Sequence, residues 1–75
     1  MVFEDVKKRL AEQLRVNEAS ITESSRLVED LHADSANVMV MIMNLEDDYG
    51  IVIEDDQIMN LKTVGDVVKY IEAHQ

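Results

Sequence analysis

The chain has no cysteine, no proline and no tryptophan, and only two glycines among its 75 residues. Without cysteine there is no disulfide framework and no thiolate metal site, and two histidines cannot by themselves make a structural zinc centre. Scarce glycine and absent proline leave little turn chemistry for a sandwich of short strands, so helices are expected. A Gly-rich phosphate loop and a HExxH motif are missing as well. The first stretch, MVFEDVKKRLAEQL, is interrupted by charge every few residues and resembles neither a signal peptide nor a membrane span. What remains is one small domain over residues 1–75, stabilised by helix packing alone, with a cytoplasmic, monomeric protein as the expectation.

Negative charge is in excess. The formal net charge is −9, and its distribution is uneven. Residues 27–61 hold Glu29, Asp30, Asp34, Glu46, Asp47, Asp48, Glu54, Asp55 and Asp56 without a single Lys or Arg, while acids and bases balance elsewhere. Nucleic acid and anionic membrane surfaces are poor partners for such a field, and membrane insertion is not expected; basic protein patches suit it. Repulsion among these acids should also make the fold more stable in salt.

Apolar periodicity supplies the elements. Phe3, Val6, Leu10 and Leu14 form one stripe of a helix over about residues 2–14, with Lys7, Lys8, Arg9 and Glu12 on its wet side. From Arg15 to Asp34 the pattern dissolves into a long loop whose Val16, Ile21, Leu27, Val28 and Leu31 should plug the core. A second helix is expected from about Asp34–Ser35 to Tyr49, capped by Asp34 and ended by Gly50, with Val38, Met41, Ile42, Leu45 and Tyr49 inward. Ile51–Ile53 should be a connector, residues 55–61 a short helical turn, and Thr63 with Asp66 a capping box opening a last helix to about residue 73. Val64, Val67, Val68 and Ile71 are its buried face. The fold class is therefore all-α: a four-helix bundle of three main helices and a short third one.

Two chemical readings fail on spacing. Ser35, His32 and Asp34 are too close along the chain to aim at one another as nucleophile, base and orienting acid. An EF-hand loop with Gly50 at its sixth position would place Leu45 at the first, where a ligand is required. No catalytic or metal residues are assigned. The second helix has a different oddity: Ala36, Met39, Val40 and Met43 make a further apolar stripe outside the core stripe. A helix on so small a domain cannot easily bury its whole circumference, so a partner surface is expected there. Glu46, Asp47 and Asp48 lie at the helix C-terminus, where the macrodipole disfavours them, which suggests pairing with a partner's cations.

The segment Leu27-Val28-Glu29-Asp30-Leu31-His32-Ala33-Asp34-Ser35, followed by an amphipathic helix ending Leu45-Glu46-Asp47-Asp48-Tyr49, resembles the signature of the acyl carrier protein family. The similarity runs over nearly the whole chain. It implies a four-helix bundle without catalysis of its own, in which Ser35, preceded by Asp34, carries a 4'-phosphopantetheine arm donated from coenzyme A by a phosphopantetheinyl transferase. The arm's thiol would hold acyl groups as thioesters for fatty acid, lipid or polyketide synthesis. Partner enzymes with basic patches would meet Ala36, Met39, Val40, Met43, Glu46 and Asp47. Relatives carrying aminoacyl groups, and an unmodified acidic interaction module, share the outline. Four positions depart from the family pattern: His32 stands for the usual glycine, Ala36 for leucine, and Asn37 and Val40 for acids. They imply a specialised carrier.

Overall fold

The computed structural model describes residues 2–74. Among these residues four α-helices follow in order, α1 Val2–Leu14, α2 Ser35–Tyr49, α3 Asp55–Ile58 and α4 Val64–His74, with a 3-10 turn, Glu18–Ser20, in the first loop. The bundle of three main helices and one short helix is as expected from periodicity. No helix among the described residues is long and apolar enough to cross a membrane.

The core is built from every segment. Val6 and Leu10 of α1 meet Met41, Ile42 and Leu45 of α2 and Val64, Val67, Val68 and Ile71 of α4, all at most 2 % exposed. The long loop contributes Ile21, Leu27, Leu31 and Ala33, and the second connector Ile51 and Ile53. Val38 and Tyr49, at the two ends of the α2 stripe, are only partly buried. Val28 does not plug the core: it points outward and is exposed. On α1, Lys7 and Arg9 are not fully wet either. The Lys7 ammonium lies 5.3 Å from the Phe3 ring centre, a cation–π distance, and Arg9 reaches sideways to Asp48 of α2.

The ends of the helices follow local chemistry. Arg15 (φ 57°) and Gly50 (φ 65°) adopt the left-handed conformation just past α1 and α2, and the next amides reach back five residues, Val16 N–H to Ala11 O and Ile51 N–H to Glu46 O. Thr63 and Asp66 close the expected capping box at α4: the Asp66 carboxylate accepts from Thr63 N–H and the Thr63 hydroxyl accepts from Asp66 N–H, both at 3.1 Å. At the far end His74 stacks on Tyr70, with ring centres 4.0 Å apart.

The long loop is ordered because it is sewn to the start of α4. Leu27 N–H donates to Lys62 O at 2.9 Å, Val64 N–H to Ser25 O at 3.0 Å and Gly65 N–H to Glu23 O at 2.7 Å. The last contact is possible only with glycine, since a Cβ on residue 65 would stand 2.9 Å from the Glu23 carbonyl oxygen. Leu27 O in turn accepts from Ala33 N–H at 2.9 Å, so the segment entering α2 is fixed through Leu27 to the start of α4.

Candidate functional site

Ser35 is the first residue of α2 and is exposed. Its hydroxyl makes no hydrogen bond among the described residues. The turn beneath it is held by a second reciprocal box. Asp34 Oδ1 accepts from Asn37 N–H at 2.8 Å, and Asn37 Oδ1 accepts from Asp34 N–H at 3.2 Å. From α1, Gln13 Nε2 donates to Asn37 O at 2.6 Å. Asn37 therefore fixes the turn that presents Ser35. Asp34 occupies the Asn37 amide, and the N–H groups of Ser35 and Ala36 have no acceptor among the described residues. A hydroxyl beside open amides at the positive end of a fifteen-residue helix is a favourable place for a phosphate ester.

An apolar cleft of about 590 Å³ opens beside this serine. Its apolar lining comes from Leu27 and Val28 of the loop, Val38 and Met39 of α2, and Ile58, Met59 and Leu61 of the α3 region, and Arg26, Glu29, Lys62 and Asp66 line it as well. The cleft and the serine face one another without any ionisable side chain on α2 between them, because the first turn of that helix carries no acid.

The surface residues singled out in the sequence fall into two groups. Ala36, Met39, Val40 and Met43 lie on one exposed face of α2, with Met39 42 %, Val40 50 % and Met43 58 % accessible. The acids at the other end of the helix are largely occupied within the chain. Glu46 is half-buried and its Oε2 accepts from Ile53 N–H at 2.9 Å, which fixes the connector after α2. Asp48 pairs with Arg9, and only Asp47 stands exposed without such a partner among the described residues.

The expected row of uncompensated acids is shorter than composition suggests for the same reason. Arg9 and Arg26, both outside residues 27–61, reach in to Asp48 and to Glu29 and Asp30. Arg9 also binds Asp5 at 2.8 Å, and the Tyr49 hydroxyl donates to the same carboxylate at 2.7 Å. Burial pushes the Asp5 pKa up, but the bonds from Tyr49 and Arg9 outweigh it and hold the carboxyl below its ordinary value. Tyr49, desolvated and bonded to that carboxylate, is pushed up to about 12. No group of three metal-ligating side chains occurs among the described residues.

Comparison with known proteins points in one direction. The family described as "Phosphopantetheine attachment site" matches residues 4–71. An acyl carrier protein of Wolinella succinogenes is 45% identical over 74 residues, 99% of this chain and 97% of that protein. One from Exiguobacterium sibiricum is 51% identical over 72 residues, 96% and 91% of the respective lengths. Among solved structures, an acyl carrier protein from Enterococcus faecalis superposes with a TM-score of 0.87 at 31% identity, covering 99% of this chain and 94% of that one.

Proposed function

The chain belongs to the phosphopantetheine-attachment family that includes the acyl carrier proteins, and from that premise we propose that Ser35 is the attachment point of a 4'-phosphopantetheine arm bearing acyl groups for biosynthesis. The observation that carries the assignment is the placement of Ser35: an exposed hydroxyl at the first position of α2, beside open amides and on the lip of an apolar cleft. The residues fit the group. The phosphodiester would sit at the helix N-terminus, where amides and dipole favour an anion, and the cleft offers apolar walls to whatever the arm carries.

When bound, the arm supplies a thiol, which a chain without cysteine otherwise lacks. In loading, the Ser35 oxygen would attack the phosphorus of coenzyme A nearer the pantetheine, the bond to the other phosphate would break, and adenosine bisphosphate would leave. The hydroxyl proton would pass to a base on the transferase, since neither His32 nor Asp34 is hydrogen-bonded to Ser35 among the described residues. The chain's own work in this reading is presentation. Asp34 and Asn37 hold the turn, Gln13 anchors it to α1, and Leu27 ties it to α4. It acts as a carrier and as a substrate of other enzymes, without catalysis of its own, as one monomeric cytoplasmic domain. The exposed apolar face of α2 supports docking of acyl-transferring or synthase enzymes.

The test is intact-mass measurement after incubation with coenzyme A and a broad-specificity phosphopantetheinyl transferase. One arm should be added to the wild-type chain and none to Ser35→Ala. A wild-type chain that stays unmodified, or a Ser35→Ala chain that gains the arm, overturns the assignment.

A further inference from the structure

Sulfur enters this chain only as methionine, five residues in all. Of those among the described residues, Met41 is 2 % exposed in the core, whereas Met39, Met43 and Met59 stand open to solvent, Met59 at 78 %. Met39 and Met59 also line the cleft on which Ser35 opens, and Met43 does not. A thioether reacts with a peroxide when its sulfur is accessible, and the chain has no cysteine to react first. The exposed methionines are therefore its most readily oxidised side chains, while Met41 is reached only when the core opens.

Oxidation at two of these sites changes the cleft itself. Arg26, Glu29, Lys62 and Asp66 already make part of its lining polar, so an apolar guest depends on the remainder. Hydrocarbon side chains there, such as Leu27, Val38 and Leu61, are inert to a mild oxidant, whereas Met39 and Met59 become polar sulfoxides. A sulfoxide that stays against an alkyl chain loses its water without a hydrogen bond in return. One that turns outward withdraws its own apolar surface from the contact. Either way the lining holds an alkyl chain less well, and it does so on two sides, at α2 and just past α3.

We propose that Met39 and Met59 are oxidation sites, converted to sulfoxides by hydrogen peroxide, and that the conversion loosens the cleft's hold on an apolar acyl group carried from Ser35. This rests on the assignment of Ser35 as the attachment point. In each step the sulfur lone pair attacks one peroxide oxygen, and the S–O bond forms as the O–O bond breaks. The departing hydroxide takes the proton of the transferred oxygen and leaves as water. Sulfur is oxidised by two electrons and the peroxide is reduced by the same two.

The experiment treats the full chain with dilute hydrogen peroxide and locates each added oxygen by tandem mass spectrometry. In the unloaded chain Met39, Met43 and Met59 should oxidise at least about tenfold faster than Met41. A second sample is first loaded from octanoyl coenzyme A by a broad-specificity transferase, which seals the arm's sulfur as a thioester, and is then treated until Met39 and Met59 are oxidised. Melting temperatures of loaded and unloaded chains are compared before and after peroxide. Loading should raise the melting temperature of the untreated chain, and oxidation should remove at least about half of that rise. In a Met39→Leu, Met59→Leu chain, whose cleft keeps its volume, the rise should survive peroxide, and Met43→Leu should give no such protection. The proposal is overturned if Met41 oxidises as fast as Met59, if peroxide leaves the rise intact, or if the doubly substituted chain loses it equally. A loaded, untreated chain with no rise overturns it as well. A wild-type chain that takes up no arm from coenzyme A overturns the Ser35 assignment itself, a result separable from the others.

Discussion

Helices α2 and α4 carry nearly the same average hydrophobicity, yet α4 buries five of its eleven residues and α2 only three of its fifteen. In α4 the apolar side chains fall on one stripe: Val64, Val67, Val68 and Ile71 all point inward. In α2 they encircle the helix, so Met41, Ile42 and Leu45 serve the core while Met39, Val40 and Met43 face solvent. One helix spends its hydrophobicity on the fold. The other divides it between the fold and the surface that surrounds Ser35, and stability alone gives no reason for the exposed share.

The largest effect that tests this contrast is truncation in the α2 core stripe. Leu45, fully buried, should cost about 2–5 kcal/mol as Leu45→Ala, because the cavity adds to the lost transfer energy. Met43→Ala, a comparable truncation on the exposed face of the same helix, should change stability by less than about 0.5 kcal/mol. Chemical denaturation of the two variants decides it: equal losses would erase the distinction between the two faces. Next in size is Gly65→Ala on α4. The added Cβ meets backbone at Glu23 and no flexible side chain can yield, so a loss of about 1–3 kcal/mol is expected although alanine is the better helix former. A stabilised Gly65→Ala chain would show that the loop is not held against α4 as described.

That glycine also marks where sequence reading stops. The spans of α1, α2 and α4, the Asp34 cap, the Gly50 stop and the Thr63–Asp66 box were all legible, since each rests on residues within one or two turns of one another. Gly65 in the first turn of a helix is a signal of close approach, but only the fold tells which backbone approaches. The direction of Val28 was misread for a related reason: a loop has no period, so neighbours such as Leu27 and Val28 cannot be told apart until hydrogen bonds from Leu27 to Lys62 and Ala33 fix the chain. Ser35 was found through the motif around it, whereas the cleft beside it, assembled from four segments, was not. Charge was the most deceptive quantity. The cations that engage Asp48, Glu29 and Asp30 lie outside the acidic stretch, and Glu46 is engaged by a backbone amide seven residues on.

The half of α2 that does serve the fold ends in an ionisable network, which makes its contribution pH-dependent. Asp5 is held below its ordinary pKa, so the stability it adds is complete above the ordinary carboxylate range and is lost as pH falls through the lower folded value. Tyr49 is raised to about 12, so its contribution is complete below the ordinary tyrosine range, about 10, and is lost as pH rises toward the folded value. Tyr49→Phe should therefore cost about 1 kcal/mol near neutral pH, a modest figure because the Asp5 carboxylate is 37% exposed. The gap between variant and wild type should narrow below pH about 4 and above about 10. Melting temperatures measured across that range check it, and a gap independent of pH would mean the Tyr49–Asp5 bond contributes nothing.

The smallest expected effect lies at the entrance to α2. His32 is exposed and adopts φ 59°, in the left-handed region that L side chains enter at a cost of roughly 1–2 kcal/mol. Glycine enters this region freely. His32→Gly removes the local strain but also loosens the unfolded chain, which returns about 0.4–1 kcal/mol, so a net gain of about 0.5 kcal/mol is expected. No such strain accompanies α4, whose entry is fixed by its capping box and by hydrogen bonds from the loop. A rise of a few degrees in melting temperature, with unchanged loading of Ser35, would place the strain in the backbone of the entrance alone. A chain destabilised by His32→Gly would instead mean that the imidazole itself holds the turn before Asp34, and that the entrance to α2 is braced by a side chain as the entrance to α4 is.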